Sequence, residues 1–157
     1  MAGLWQTVVS LWTWLVLAVC VLILLPVMAV LRVVTAPFDR GHYLVGRMFR
    51  EIANITAGLS PFWHFRTSGV RIANPRNPYV VVSNHESFAD ILLISHLPWE
   101  MKWLSKAELF RIPVLGWMMR MAGDIPIKRG VGPSAVEALE QCREVLANHV
   151  SVMIFPE

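Results

Sequence analysis

The stretch YVVVSNHESFADILLISHL, residues 79–97, changes character twice along its length. Its first four residues are apolar and mostly β-branched, which predicts a short buried strand. Residues 87–97 have the pattern of a helix that stops before Pro98. The turn between them, SNHESFAD at residues 83–90, carries a histidine and two acids beside a polar Ser-Asn pair. A strand, a turn and a helix in this order are the unit from which α/β folds are built.

Further strand-like segments follow this unit along the chain. MKWL (101–104) predicts a weaker strand, and VSVMIF (150–155) predicts a final buried strand. DIPIKR (124–129) predicts an extended segment at a sheet edge, because Pro126 cannot donate a hydrogen bond to a neighbouring strand.

Two helical segments separate these strands. Residues 107–121 predict a helix that is interrupted near Pro113, and Ser134 with Glu137 forms a capping-box pattern ahead of a last helix. Regular alternation of strands and helices predicts an α/β layer with a largely parallel sheet. We assign this layer to residues 73–157, behind the turn-rich segment IANPRNP.

The N-terminal part of the chain is apolar. Residues 1–31 contain no Asp, Glu, Lys or Arg, and the run from Leu4 to Leu31 is longer than the ~20 residues that cross a hydrocarbon core as a helix. A cleaved signal peptide would need basic residues ahead of the run and a small-residue cleavage site, and the sequence shows neither. We therefore predict a membrane helix at residues 1–34.

Basic residues dominate the segment that follows the apolar run. Positively charged flanks of a membrane helix stay in the cytoplasm. The pattern therefore predicts that everything after Arg32 lies on the cytoplasmic side, with the arginines near anionic lipid headgroups. The arginines of this segment are Arg32, Arg40, Arg47, Arg50, Arg66, Arg71 and Arg76.

Residues 44–55 predict an amphipathic helix within the membrane-proximal segment 35–72. Apolar side chains recur there at helical spacing, and the polar residues Arg40, Arg47, Arg50 and Asn54 fall on the opposite face. Such a helix can lie on a membrane surface or pack on the domain that follows, and the sequence leaves both open. The apolar face consists of Leu44, Val45, Met48, Phe49, Ile52 and Ile55.

The composition differs from that of an ordinary soluble domain, and the cysteines do not indicate a disulfide-rich or metal-binding protein. Hydrophobic residues make up 55% of the chain and charged residues 16%, with a formal net charge of +3. A soluble domain usually has about 25% charged residues. The two cysteines, Cys20 and Cys142, lie in unrelated contexts, so we expect neither a disulfide framework nor a metal site. We expect no nucleic-acid partner and no cofactor.

His85 and Asp90 are the candidate reacting groups in the opening stretch. Within one continuous helix a spacing of five positions would turn the two side chains ~140° apart. If the strand ends near Val82 and the helix starts near Ser87, Asp90 falls in the first helical turn and can reach back to the imidazole. A carboxylate on one ring nitrogen leaves the other nitrogen free to act as a general base.

A purely structural interpretation of the same residues stays open. Ser83 or Asn84 would cap a helix, Ser87 and Asp90 would form a second capping pair, and His85 would be a surface bystander. The zinc-protease motif H-E-x-x-H and the serine-hydrolase motif G-x-S-x-G are both absent from the sequence. With no nucleophile marked out, a catalytic His85 would have to activate a hydroxyl of the substrate.

Four ordered segments resemble a known family, the glycerolipid acyltransferases, which include 1-acylglycerol-3-phosphate acyltransferase. NHESFAD resembles the family's N-H-x-x-x-x-D block, and SKAELFRIPVLGWMMRMAG resembles its lysine-glutamate-leucine segment. GDIPIKR resembles the second block, and FPE matches the start of the third. The matches cover residues 79–157 behind a hydrophobic N-terminus, and together they are far more specific than one H-x-x-x-x-D.

The resemblance implies a role for each matched residue. His85 would deprotonate a hydroxyl of a lysophospholipid or glycerol phosphate, with Asp90 orienting it, and no covalent acyl-enzyme would form. Arg129 would bind the acceptor phosphate, where a planar guanidinium is well suited. Lys106 and Glu157 would complete the acceptor site. The acyl donor would be acyl-CoA or acyl-carrier protein, and membrane lipid would be the other partner.

Two departures from the family pattern matter. The third block stops after Glu157, so its usual glycine, threonine and arginine do not appear, and Lys128 stands where an acidic residue is common. We therefore expect an N-terminal portion of a membrane-bound O-acyltransferase. The competing hypotheses are an inactive membrane-associated fragment or pseudoenzyme, and a plain membrane anchor for a partner protein.

Overall fold

The computed structural model describes residues 2–61 and 63–156 and shows an α/β fold behind two N-terminal helices. The helix predicted at residues 107–121 is α-helical only after Pro113, from Leu115 onward, and a short 3₁₀ turn at Leu109–Arg111 precedes it. The helices are α1 Ala2–Thr35, α2 Tyr43–Gly58, α3 Phe88–Ser95, α4 Leu115–Ala122 and α5 Gly132–Ala147. The strands are β1 Val80–Val82, β2 Met101–Lys106, β3 Ile125–Ile127 and β4 Ser151–Ile154.

The four strands form one parallel sheet in the order β1-β4-β2-β3. The last strand in the sequence therefore lies inside the sheet, where it pairs through Val152 with both Val80 of β1 and Lys102 of β2. The prediction of a largely parallel α/β layer is confirmed, and so is the edge position of β3. All carboxyl ends of parallel strands lie at the same edge of the sheet, and ligand sites of α/β proteins form there.

Helices cover both faces of the inner strands. Met153 of β4 packs with Ile94 of α3 on one face, and its neighbour Val152 packs with Ala138 and Cys142 of α5 on the other. Successive strand residues point to opposite faces. A strand covered on both sides needs mostly apolar residues, which explains the run VSVMIF. Its one polar residue, the buried Ser151, accepts a hydrogen bond from the backbone N–H of Tyr79.

The strand predicted at residues 79–82 is present as β1, but the prediction that it is buried is wrong. In β1, Val80 is 57% exposed and Val82 is 62% exposed. The strand occupies an edge of the sheet, and no helix among the described residues covers the face on which these two valines lie. Apolar sequence alone does not distinguish this edge position from an inner one.

Helix α1 is long and apolar enough to cross a membrane, by length and composition. Much of its surface is exposed apolar side chain, yet one side packs against the rest of the protein. Met28 of α1 is fully buried and shares a core with Val45 and Ile52 of α2 and with Met118 of α4. Nearer the N-terminus of α1, the indole nitrogen of Trp12 donates a hydrogen bond to the backbone carbonyl of Leu59, just after α2.

The predicted amphipathic helix is present as α2, and it packs against α1 and against the α/β unit. Leu44 and Ile55 remain exposed, whereas Val45 and Ile52 are buried against α1. The prediction that Arg50 faces lipid headgroups is wrong, because only 6% of Arg50 is exposed. Its guanidinium forms an ion pair with Asp124, which precedes β3. Arg50, which the sequence places on the polar face of α2, therefore faces the sheet.

Arg50 belongs to a cluster of four buried charges between α2 and the sheet, which we call the buried charge cluster: Arg50, Glu100, Lys102 and Asp124. Lys102 donates to Glu100 at 3.1 Å and to the backbone carbonyl of His42 at 2.8 Å. Burial raises the pKa of the Glu100 carboxyl, although Lys102 and Arg50 oppose this, and burial lowers the pKa of the Lys102 ammonium. The cluster has no net formal charge, as a buried group of ions requires.

The capping box predicted at Ser134 is also wrong. Helix α5 begins at Gly132, so Ser134 lies in its first turn and its hydroxyl accepts a hydrogen bond from the backbone N–H of Lys128. Pro133 near the helix start already removes one of the backbone N–H groups that a cap would satisfy.

Candidate active site

A capping box does occur at the start of α3, in the opening stretch. The hydroxyl of Ser87 accepts a hydrogen bond from the N–H of Ala89. The carboxylate of Asp90 accepts from the N–H groups of Ser87 and Glu86, both at 2.8 Å through Oδ2. The Asp90 side chain therefore points back toward the turn after β1 and is held there by two backbone donors.

His85 meets this carboxylate from the turn. Its Nδ1 lies 3.5 Å from Oδ2 of Asp90, and the two side chains are 31% and 30% exposed. The separation exceeds the usual range for a hydrogen bond, which is common for catalytic pairs before substrate binds. The predicted reach of Asp90 toward the imidazole is present in the geometry, and it coexists with the predicted capping pair. The roles of both residues in catalysis stay predictions.

The electrostatics of the pair follow from the helix start. Backbone hydrogen bonds from Ser87 and Glu86 lower the pKa of the Asp90 carboxyl, and the nearby His85 lowers it further. Asp90 is therefore ionised at neutral pH. A carboxylate beside Nδ1 favours the tautomer with the proton on Nδ1, which leaves the lone pair of Nε2 available to accept a proton.

An aromatic ring covers the face of the imidazole. The ring of Phe155, just beyond the end of β4, lies with its centroid 4.6 Å from that of His85 and is tilted by 36°. Because β4 pairs with β1, the residues that follow these two strands are brought side by side. Sequence reasoning used FPE only as a family match and missed Phe155. The signal was available, since an aromatic residue there follows a strand at the edge where ligand sites form.

Two more of the predicted site residues lie along the same edge of the sheet. Lys106 is the last residue of β2, Arg129 follows β3 by two residues, and both are exposed. The axes of the two outer strands, β1 and β3, are ~14 Å apart at ~4.8 Å per strand spacing. The sheet therefore places Lys106 and Arg129 on the far side of the edge from His85. Glu157 lies outside the described residues.

A cavity of about 390 Å³ opens beside the ends of β2 and β3. The cationic residues Arg111, Arg120 and Lys128 contribute to its wall, together with the buried Asp124 and the helical Glu137. Sequence reasoning did not single out Arg111 or Arg120. Arg111 lies in the 3₁₀ turn between β2 and α4, and Arg120 lies in α4 itself.

The fold and the pair place this protein in one general class: parallel α/β proteins with an imidazole and a carboxylate at the carboxyl edge of the sheet. The family model for acyltransferases matches residues 64–157 of the chain. The chain belongs to the acyltransferase family.

Three individual relatives are similar to this chain. A chloroplastic 1-acyl-sn-glycerol-3-phosphate acyltransferase of Arabidopsis thaliana is 35% identical over 117 residues, which cover 74% of this chain and 32% of that protein. A 1-acyl-sn-glycerol-3-phosphate acyltransferase of Chlamydomonas reinhardtii is 38% identical over 64% of this chain and 31% of its own. A lyso-ornithine lipid O-acyltransferase of Pseudomonas aeruginosa is 38% identical over 68% of this chain and 38% of its own.

The chain spans about a third of the length of the curated relatives it matches. No solved structure matches it significantly. The family resemblance recognised in the sequence is confirmed by these findings.

Proposed function

We propose that the protein containing this chain transfers a fatty acyl group from a thioester to the free hydroxyl of 1-acylglycerol-3-phosphate at a membrane. The observation that carries the proposal is the His85–Asp90 pair at the start of α3, in a chain of the acyltransferase family. The thioester would be acyl-CoA or acyl-carrier protein. The names of the plant and algal relatives support the choice of acceptor.

The proposed reaction needs one general base and no nucleophile from the protein. Nε2 of His85 takes the proton of the acceptor hydroxyl as its oxygen attacks the thioester carbonyl, and ionised Asp90 stabilises the resulting imidazolium. The tetrahedral intermediate collapses by breaking the carbon–sulfur bond. The departing thiolate takes the proton from the imidazolium, so that the products are the ester and the free thiol, with His85 neutral again.

The acceptor phosphate is assigned to basic residues across the sheet edge. Arg129 would bind it with its planar guanidinium, and Lys106 would add a second positive charge. Both are exposed, Lys106 at the end of β2 and Arg129 just after β3, so an acceptor stretching from His85 toward β3 would pass them in turn. Glu157 would complete this subsite.

Membrane attachment is assigned to α1. The helix carries exposed tryptophan, leucine and valine side chains over most of its length, and burying such side chains in lipid is favourable. Arginines after Arg32 support a cytoplasmic position for the α/β unit, since positive flanks stay on that side.

The test is acyl transfer by the full-length protein in membranes, with radiolabelled thioester and 1-acylglycerol-3-phosphate. We expect His85→Ala to lower kcat by a factor of about 10²–10⁴ with little change in KM, as for a lost general base. His64→Ala is the matched control, because His64 is exposed in the irregular segment after α2. Full activity of His85→Ala would exclude His85 as the base. Faster transfer to lyso-ornithine lipid, the acceptor in one relative's name, would correct the substrate alone.

A further inference from the structure

We propose that Phe155 is a positioning residue for His85, a role that rests on the proposed function of His85 as general base. The imidazole is contacted at its edge by Asp90 and on its face by Phe155. Nothing in the family comparison assigns a role to this ring.

The two contacts restrain different motions of the imidazole. The approach of Nδ1 to the Asp90 carboxylate sets where the ring edge points, yet it permits rotation about the line that joins the two atoms. A ring packed against the face of the imidazole opposes that rotation and fixes the plane of the heterocycle. The lone pair of Nε2 lies in this plane, so the plane decides whether Nε2 is aligned with a substrate hydroxyl.

Phe155 is itself held by a buried neighbour. The ring of Trp103 on β2 meets it edge-on, with centroids 5.8 Å apart and planes at 70°. Trp103 is 4% exposed, its backbone N–H donates to Asp124 at 3.0 Å, and the guanidinium of Arg50 lies 4.7 Å from its ring centroid. The contacts that run from His85 through Phe155 and Trp103 thus continue to the buried charge cluster. Through Arg50 they extend to α2, which precedes the matched region that begins at residue 64.

The decisive variants are Phe155→Leu and Phe155→Tyr in the full-length protein. Leucine keeps apolar bulk without a ring, whereas tyrosine keeps the ring. We expect Phe155→Leu to lower kcat about tenfold, equivalent to about 1.4 kcal/mol, with KM changed less than twofold. We expect Phe155→Tyr to stay within about threefold of wild type. Phe110→Leu is the control, since Phe110 is a buried ring away from His85.

A second measurement reads the ring contact without activity. In proton NMR of histidine-labelled protein, with His85 assigned from His85→Gln, the His85 ring protons should be shifted upfield by Phe155. The shift should disappear in Phe155→Leu and persist in Phe155→Tyr.

The outcomes separate this proposal from the proposed function. An active protein whose kcat is unaffected by Phe155→Leu, or falls equally in Phe110→Leu, overturns the positioning role and leaves His85 as base. A His85 ring whose shift ignores Phe155→Leu overturns it as well. A wild-type protein that transfers no acyl group overturns the proposed function whatever the ring shift shows.

Discussion

Two groups of charged residues in this molecule differ in almost every physical respect. The buried charge cluster of Arg50, Glu100, Lys102 and Asp124 is shielded from water and joins α2 to the sheet. The His85–Asp90 pair lies at the surface, about one-third exposed, and joins a turn to the first turn of a helix. The cluster contains strong ion pairs and no evident chemistry. The surface pair is loose, yet it is the candidate reacting centre.

The difference shows what burial does to a charge. A buried ion depends on each of its partners, because removing one leaves another uncompensated in a medium of low dielectric constant. A surface pair gains little from its own attraction, because water solvates each partner almost as well. Substitutions in the cluster should therefore change stability, whereas substitutions in the surface pair should change the reaction.

The largest effect on stability is expected from Asp124→Ala. The substitution removes the ion-pair partner of Arg50 and the acceptor of the Trp103 backbone N–H. We expect the free energy of unfolding to fall by about 3–5 kcal/mol, as for a broken buried pair. Denaturant unfolding followed by tryptophan fluorescence measures it. A loss below about 1 kcal/mol would mean that water reaches Arg50.

A double-mutant cycle on Glu100 and Lys102 tests their mutual dependence. Lys102→Met leaves the Glu100 carboxylate with Arg50 at 3.9 Å as its remaining cationic partner in the cluster. We expect Glu100→Gln and Lys102→Met each to destabilise, and the double variant to lose at least about 1 kcal/mol less than the sum of the two. Additive losses would contradict a direct coupling. The measurement is again the free energy of unfolding.

Two glycines of α2 provide a matched steric test of the same cluster. A Cβ on Gly46 would overlap Oε1 of Glu100 and Nζ of Lys102, whereas a Cβ on Gly58 meets nothing within 4 Å. We expect Gly46→Ala to destabilise by about 1–3 kcal/mol, as for overpacking. Gly58→Ala should be neutral or up to about 1 kcal/mol more stable, because alanine favours helix. Equal melting temperatures for the two variants would contradict the close packing of α2 on the sheet.

In the surface pair, Asp90→Asn should lower activity much more than stability. The amide oxygen can still accept from the backbone of Ser87, so we expect stability to fall far less than in Asp124→Ala. The neutral side chain no longer stabilises an imidazolium at His85, so kcat should fall at least tenfold. Both kcat and the free energy of unfolding are measured on the same preparation of Asp90→Asn. A stability loss as large as that of Asp124→Ala would erase the distinction between the two groups.

The smallest effect is a pH dependence of the stability difference between wild type and Asp90→Asn. The folded state lowers the pKa of Asp90 below its unfolded value, so this residue stabilises the fold above the unfolded pKa of ~4. As pH falls through the folded pKa, the contribution is lost. The difference should therefore be constant near neutral pH and shrink in acid. Growth of the difference in acid would contradict the direction of the shift.

The sequence predicted the elements well, because periodicity and turn residues report local structure. The strand-turn-helix at residues 79–97 and the interruption near Pro113 are both present. The burial of β1 was predicted wrongly, since VVV looks the same at an edge and in the middle of a sheet. The order β1-β4-β2-β3 depends on pairing between distant segments, which local patterns do not encode.

The candidate site divides in the same way. The approach of Asp90 to His85 was predictable from the local geometry of a helix start, whereas their assignment as a site came from the family resemblance. Phe155 could not be paired with His85 without knowing that β4 lies beside β1. Arg50 was assigned to a polar face because an arginine in an amphipathic helix is usually solvated, and its partner Asp124 is far away in the sequence.

The position of β4 inside the sheet governs when the site can form during synthesis. Val80 pairs with Val152, so about 70 residues must be closed into a loop before β1 gains its neighbour. Such a closure costs on the order of 4 kcal/mol of chain entropy. It cannot occur on the ribosome until residues 151–155 have left the exit tunnel. A nascent chain with α1 already inserted in a membrane would therefore carry the His85 turn unassembled until β4 emerged.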